Sequence, residues 1–261
     1  MSRSTTDVGM RDRYSCDVDL FSEASLNDPY PDYTALRDTG PIAYMPRYDM
    51  WAVTRYDEVK RVLRDPDTFS SAHGIGMNTT LNDAWAGMAP TLDGQDHQPL
   101  RRVMVQTIGP KAGMKYREAI ERSVRDIVED VMARGEFDAV YHLAETVPTT
   151  IVLDLIGVNP DEHTRHDLLH WATDAYNCCG PDGTFDHTLP NMAKLYEWAL
   201  TNYSRDSLRP DGIGQQTWAA ADEGTITEQQ AVEILAGYAT AGLDTTAGAI
   251  SGLLMLFAQN P

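Results

Sequence analysis

The sequence predicts a mainly α fold with a small β-sheet near its N-terminus. Apolar residues recur at helical spacing, with few breaks, from about residue 96 to residue 258. Two short runs of strand character lie near 42–45 and 50–54. The stretch 227–258 is one long and almost uniformly apolar segment.

Taken in order, residues 1–25 are polar and predict a loose, flexible terminus, with a single domain over 26–261. In DPYPDYTALRDTGP, Pro29 and Pro31 hold an extended lead-in. Tyr33, Leu36 and Arg37 suit a short helix, which Gly40-Pro41 stops. Ile42–Met45 and Met50–Thr54 read as strands around a turn at Pro46–Asp49. Asp57–Leu63 reads as a helix with Val59, Val62 and Leu63 on one face. From Asp65 to Pro90 the periodicity is lost, and a loop of that length is usually functional or disordered. Helices follow at about 96–107, 113–133, 141–156, 161–178, 188–206 and 227–258. They are separated by Gly109-Pro110, Gly135, Gly157, Gly180-Pro181 and the Arg209–Gly214 stretch.

Composition excludes several functions. The 261 residues carry 21 Lys+Arg against 39 Asp+Glu, a formal net charge of −18. An acidic chain neither neutralises phosphates nor docks on an anionic membrane, so no nucleic-acid or membrane partner is expected. The three cysteines, Cys16, Cys178 and Cys179, include no CxxC pair and do not look like a secreted disulfide framework. The first twenty residues lack the apolar core of a secretory signal, which predicts a cytoplasmic protein.

The final segment is the unusual one. Thr227 fits an N-cap with Gln230 as its capping-box partner. A helix from 227 to 258 would be about 48 Å long and apolar nearly all round. That describes a buried helix or a membrane span. Gly248-x-x-x-Gly252 matches the small-residue pattern of membrane helix pairs, but no Lys or Arg flanks the stretch and Asp244 interrupts it. A central helix of a large soluble domain is favoured. In that setting a buried Asp244 costs several kcal/mol, roughly, unless it is paired, for instance with an Arg. Thr245 and Thr246 can bond back to the carbonyls of Ala241 and Gly242 and bend the helix. Gly242 lets another group approach the backbone closely. The expected result is a distorted, partly polar groove. The bland alternative is a back-bonded Thr beside a paired Asp.

Ala241-Gly242-Leu243-Asp244-Thr245-Thr246 resembles the oxygen-binding central-helix motif of the haem-thiolate monooxygenases, the cytochrome P450 superfamily. His97-Gln98-Pro99-Leu100-Arg101-Arg102 is similar to that family's His-x-x-x-Arg helix. The i, i+4 spacing puts His97 and Arg101 on one face, where they can hold an acidic ligand. In the family that ligand is a haem propionate. Pro99 is tolerable if it falls in the first turn of a helix starting near Asp96. The resemblance runs from about Asp28 to Pro261 and is nearest to bacterial members that hydroxylate or O-demethylate aromatic acids. Phe69–Gly76 and Tyr176–Pro181 carry that part of it. His73 stands where those relatives have an arginine, and Gly237 where they have a serine. A phenol or aryl ether therefore fits better than a benzoate.

The resemblance implies a haem-thiolate monooxygenase fold that stops after the long central helix. It implies haem b as cofactor, O2, and electrons from NAD(P)H through a reductase and a ferredoxin-type donor. Asp244 and Thr245 become catalytic candidates, as proton relay and as the hydroxyl at the oxygen site. His97, Arg101, Ala241 and Gly242 become cofactor candidates. His73, Met77, Tyr176, Cys179 and Thr240 become substrate-pocket candidates. None of the three cysteines fits the family's Phe-x-x-Gly-x-x-x-Cys-x-Gly loop, so no metal ligand is assigned. On this reading the chain is a fragment of its parent enzyme, inactive alone. The alternative is a non-catalytic remnant that binds an apolar ligand or a partner. Residues 101–125 hold seven Lys and Arg against Glu118 and Glu121. Such a basic patch on an acidic protein suits an acidic ferredoxin, or else is a solvated helix face. His166 and His170, one turn apart, have weak zinc-site spacing with no third ligand nearby.

Overall fold

A computed structural model of the chain describes residues 5–260. They fall into two compact units, 5–71 and 72–260.

In the first unit, helix α1 (Thr5–Arg13) leads to α2 (Glu23–Asn27), α3 (Tyr30–Thr39), strands β1 (Ile42–Met45) and β2 (Met50–Val53), and α4 (Tyr56–Val62). The two strands pair antiparallel with Tyr44 opposite Trp51. The connecting turn needs a positive φ, 50°, at Asp49, which an Asp tolerates. Leu36, Ala43 and Met45 form a small core.

The flexible terminus expected over 1–25 gives way here to ordered structure, its first four residues lying outside those described. Cys16 N–H donates to Tyr44 O at 2.8 Å and Tyr44 N–H to Tyr14 O at 2.7 Å, so the chain after α1 lies along β1. The Arg11 guanidinium lies over the Tyr44 ring, 4.5 Å from its centroid. Main-chain pairing and one cation–π contact leave no apolar periodicity to read, which is why a polar segment looked loose. Tyr48 donates to Asp19 Oδ1 at 2.5 Å. Burial and that carboxylate push the Tyr48 phenol up to about 12, and the same bond holds Asp19 below its usual range.

The second unit is helical throughout. It contains α5 (Thr79–Ala84), a 3-10 turn at Ala89–Thr91, α6 (Gly94–Ile108), α7 (Pro110–Ala133), a π-helical turn at Val140–Glu145, α8 (Thr146–Ile156), α9 (Glu162–Asn177), α10 (Asp182–Asn202), α11 (Ile213–Asp222) and α12 (Glu228–Gln259). The expected structureless run before residue 90 thus contains α5 and the 3-10 turn. Asn78 caps α5 by accepting from Leu81 N–H at 3.1 Å. α6 starts at Gly94, so Pro99 sits beyond the first turn and removes one main-chain bond from the helix interior. α10 begins six residues earlier than the periodicity predicted. α11 was hidden because IGQQTWAAAD offers little apolar periodicity. Trp218 anchors it, its indole N–H donating to Tyr203 O at 2.8 Å.

α12 is the centre of this unit. Its Ala231, Leu235, Tyr238, Ala239 and Leu243 are buried among α6, α8, α9, α10 and α11. Its last third is different: Leu253, Met255, Leu256 and Phe257 are exposed. The helix is long and apolar enough to cross a membrane by length and composition alone. Its buried N-terminal half is that of a core helix.

Tyr203 is fully enclosed, and its hydroxyl has no partner among the described residues. Burial pushes this phenol well above its ordinary value. The unfolded chain ionises the phenol near pH 10, while the folded chain keeps it neutral to higher pH. The resulting stability is complete below pH 10 and is lost as pH rises beyond it. Tyr203→Phe removes the orphan hydroxyl at nearly constant shape. It is expected to raise stability at pH 7 by about 1 kcal/mol and to flatten the alkaline decline, as urea denaturation from pH 7 to 11 will show.

Candidate functional site

The capping box at the start of α12 forms as its sequence requires. Gln230 N–H donates to Thr227 Oγ1 at 3.1 Å, and Thr227 N–H donates to Gln230 Oε1 at 2.9 Å. From there the helix runs unbroken to Gln259. Through residues 242–246, where the sequence predicts a distorted groove, the helix is continuous. Thr245 does bond back, its hydroxyl donating to Ala241 O at 2.5 Å, and Thr240 donates to Ala236 O at 2.9 Å. No such bond to Gly242 O is made by Thr246 among the described residues. The back-bonds of Thr240 and Thr245 are both accommodated within one continuous helix.

The close approach that Gly242 permits is a packing contact. A Cβ there would meet both γ-methyls of Val152, on α8, at 3.0 Å. The open side of the helix is a ladder at four-residue spacing: Gly237, Ala241, Thr245 and Ala249 are all exposed. It is a flat, small-residue face with one hydroxyl in it.

Asp244 lies beside that face and is half-buried. Its partner is a hydroxyl rather than an arginine. Thr173 on α9 donates to Asp244 Oδ1 at 2.6 Å. One turn further along α9 stands Tyr176, whose phenol is pushed up by burial and then by the neighbouring acids Asp244 and Cys179. Cys179 O accepts from Met77 N–H at 2.8 Å. Main-chain bonds therefore join Met77 to Cys179 and Cys179 to Tyr176, with Asp244 near enough to Tyr176 to act on its phenol. His73 is exposed, and its side chain has no partner among the described residues. Two residues that sequence reasoning missed hold this region. Asn82 Oδ1 accepts from Ile75 N–H and Gly76 N–H at 3.1 and 2.9 Å. Asn78 Nδ2 donates to Asp182 Oδ1 at 2.6 Å, tying the start of α5 to the start of α10. Asparagine pairing across about a hundred positions has no sequence signature.

On α6, His97 and Arg101 share a concave surface of about 360 Å³ with Gln98, Arg102, Val105 and Gln106. His97 Nδ1 lies 3.0 Å from Ala89 O, which assigns Nδ1 as the protonated nitrogen. Nε2 then faces away and donates only when the ring is cationic. The Arg101 side chain is exposed, with no ion pair or hydrogen bond among the described residues. This pair fits a carboxylate. The cysteines fit a metal ligand poorly. Cys178 is buried with its sulfur 3.1 Å from Thr188 Oγ1, and burial pushes both its thiol and that of Cys179 up, away from the thiolate. Cys16 lies in the first unit. His166 turns to Glu145, with Nδ1 to Oε2 at 3.4 Å, and stacks on Tyr141 at 4.3 Å between ring centroids.

No protein-family model matches the chain. Curated relatives do. Cytochrome p450 CYP199A2 of Rhodopseudomonas palustris is 29% identical over 253 residues, covering 94% of this chain and 60% of the relative. Cytochrome P450 109 of Bacillus spizizenii is 24% identical over 273 residues, covering all of this chain and 64% of the relative. A beta-dihydromenaquinone-9 omega-hydroxylase of Mycobacterium bovis is 25% identical over 249 residues, covering 94% and 50%. Among solved structures, P450BioI in complex with an acyl carrier protein superposes with a TM-score of 0.73. It is 21% identical, with 92% of this chain and 64% of that one covered. The chain is similar in sequence to bacterial cytochrome P450s and shares the fold of their solved structures. Epothilone B-bound cytochrome P450epoK shares the same fold with this chain, at a TM-score of 0.73 and 20% identity over 94% and 65% of the two chains. The chain thus spans between half and two-thirds of the length of these curated relatives.

Proposed function

We propose that the protein carrying this chain is a cytoplasmic, haem-dependent monooxygenase that hydroxylates or O-demethylates a small aromatic substrate. The observation that carries the reading is the open face of α12. It sets one hydroxyl, Thr245, in a row of small side chains, one residue from a carboxylate held by a neighbouring helix. Haem b supplies the redox chemistry when bound. Everything else is the work of side chains. His97 and Arg101 would grip its propionates. Gly237, Ala241 and Ala249 leave room for a flat ring against the helix. Thr245 offers a hydrogen bond at the oxygen-activating site, and Asp244 carries protons towards it from water. Met77, Tyr176 and Cys179 would form the substrate wall, with Thr240 and His73 at its margins. A wall with a phenol, a thioether and a thiol, and with a histidine where an arginine is expected, suits a phenol or aryl ether.

The test is spectroscopic. The protein, expressed from its complete coding frame and loaded with haem, is expected to give the red-shifted reduced-CO band of a thiolate-ligated iron. It is also expected to turn over phenols or aryl ethers with NAD(P)H, a ferredoxin and its reductase. Haem binding without that band would favour the non-catalytic reading instead. Arg101→Glu is expected to weaken haem binding about tenfold or more, because one charge-assisted hydrogen bond is replaced by repulsion. Haem titration followed by absorbance checks it.

The electron donor would meet the exposed cations of α6 and α7, among them Arg102, Lys111, Lys115 and Arg122. Lys111→Glu is expected to slow reduction by an acidic ferredoxin several-fold at low ionic strength, with the difference vanishing at high salt. Stopped-flow reduction at two salt concentrations measures this.

A further inference from the structure

Thr173 is a polar residue with a choice to make. Its hydroxyl oxygen lies 3.1 Å from Leu169 O, the carbonyl one turn back on α9, and 2.6 Å from Asp244 Oδ1 on α12. A threonine hydroxyl has one proton to donate. The carboxylate is the nearer acceptor and the charged one, so it takes the proton. This is the one hydrogen bond made by the Asp244 side chain among the described residues, and that side chain has no ion pair there. The pair is only part-buried, so water competes for any Asp244 left untethered.

We propose that Thr173 is the positioning residue of the site. It fixes the rotamer of Asp244 and locks the segment Leu169–Asn177 of α9 to α12. This rests on the assignment of Asp244 as the proton carrier. The lock matters because α9 also carries Tyr176, and the turn beyond it carries Cys179, which is bonded to Met77. One hydroxyl thus sets the acid on one side of the site and the substrate wall on the other. Without it, Thr173 would bond only within its own helix, and no side-chain hydrogen bond would join α9 to α12 among the described residues.

Two measurements on four variants test this: Thr173→Val, Thr173→Ser, Asp244→Ala and the double variant Thr173→Val/Asp244→Ala. The first is hydrogen–deuterium exchange of the α9 amides in the chain without haem. Thr173→Val and Asp244→Ala are each expected to speed exchange over residues 169–177 about tenfold. The double variant should do no more than either single change, and Thr173→Ser should match the parent. The second is product formed per NAD(P)H consumed by the haem-loaded enzyme. Thr173→Val is expected to lower this ratio several-fold while substrate binding changes little, and Thr173→Ser should restore it. Additive exchange effects would overturn the lock. A Thr173→Val enzyme with unchanged product yield, beside an Asp244→Ala enzyme with reduced yield, would overturn the positioning role. An Asp244→Ala enzyme with undiminished yield would sink the assignment of Asp244 itself, a distinguishable failure.

Discussion

Gly212→Ala is expected to cost the second unit about 3 kcal/mol or more, enough to leave much of it unfolded at 37 °C. A Cβ at Gly212 would sit 2.5 Å from Ile156 O and 2.8 Å from Gly157 Cα. Both are main-chain atoms, so no side-chain rotation relieves the overlap. The main chain there cannot simply retreat. Gly157 caps α8 at φ 113°, and Arg209 N–H donates to Gly157 O at 3.0 Å. The Arg209 guanidinium also reaches Asp154 on α8, donating to its carbonyl at 2.7 Å. The end of α8 and the approach to α11 are thus stitched together at the point where the methyl would intrude. Gly113→Ala is the control. Gly113 lies inside α7 with nothing within 4 Å of its added Cβ, so the same substitution should stabilise by about 0.5–1 kcal/mol through helix propensity. Urea midpoints of the two variants should move in opposite directions. A destabilisation below about 1 kcal/mol at Gly212 would mean that the α8–α11 junction can open at little cost.

Thr245→Ala should leave folding almost untouched and disable productive turnover. The residue is exposed, and its side chain's one hydrogen bond among the described residues is the back-bond to Ala241 O. Alanine loses that bond and gains a few tenths of a kcal/mol of helix propensity, so stability should change by under about 0.5 kcal/mol. The chemistry is another matter. With its proton given to Ala241 O, the Thr245 oxygen presents its lone pairs to the open face of α12. It can accept a proton donor there, or turn its own proton outward when a better acceptor arrives. Alanine can do neither. The ratio of product to NAD(P)H consumed should fall on the order of tenfold or more, with the balance appearing as peroxide. Thr245→Ser keeps the hydroxyl and should keep most of the ratio. Undiminished coupling in Thr245→Ala would remove this hydroxyl from the mechanism.

Much of the fold was legible because the responsible signals are local. The hairpin followed from two alternating runs around Pro46–Asp49. The capping box followed from Thr227 and Gln230 standing three apart. The extent of α12 followed from thirty residues of near-uniform apolarity. The pairing of His97 with Arg101 on one face needed only helix geometry. Local signals also set the limits. α11 was missed because Trp218 is held by a carbonyl fifteen residues away. α1 looked loose because its partner, Tyr44, lies thirty-three residues further on.

The sequence by itself determined the fold class, the central helix and the positions of Asp244 and Thr245 within it. Those properties depend on spacing along one chain, which a helix converts directly into a face. Only the tertiary structure decided what that face meets. It gave Asp244 a threonine instead of an arginine, turned Gly242 towards Val152, and joined Met77 to Cys179 through a main-chain bond. A hydrogen bond between distant helices depends on where two backbones come to rest. Packing of the whole core sets that distance, and no residue's type or spacing encodes it alone.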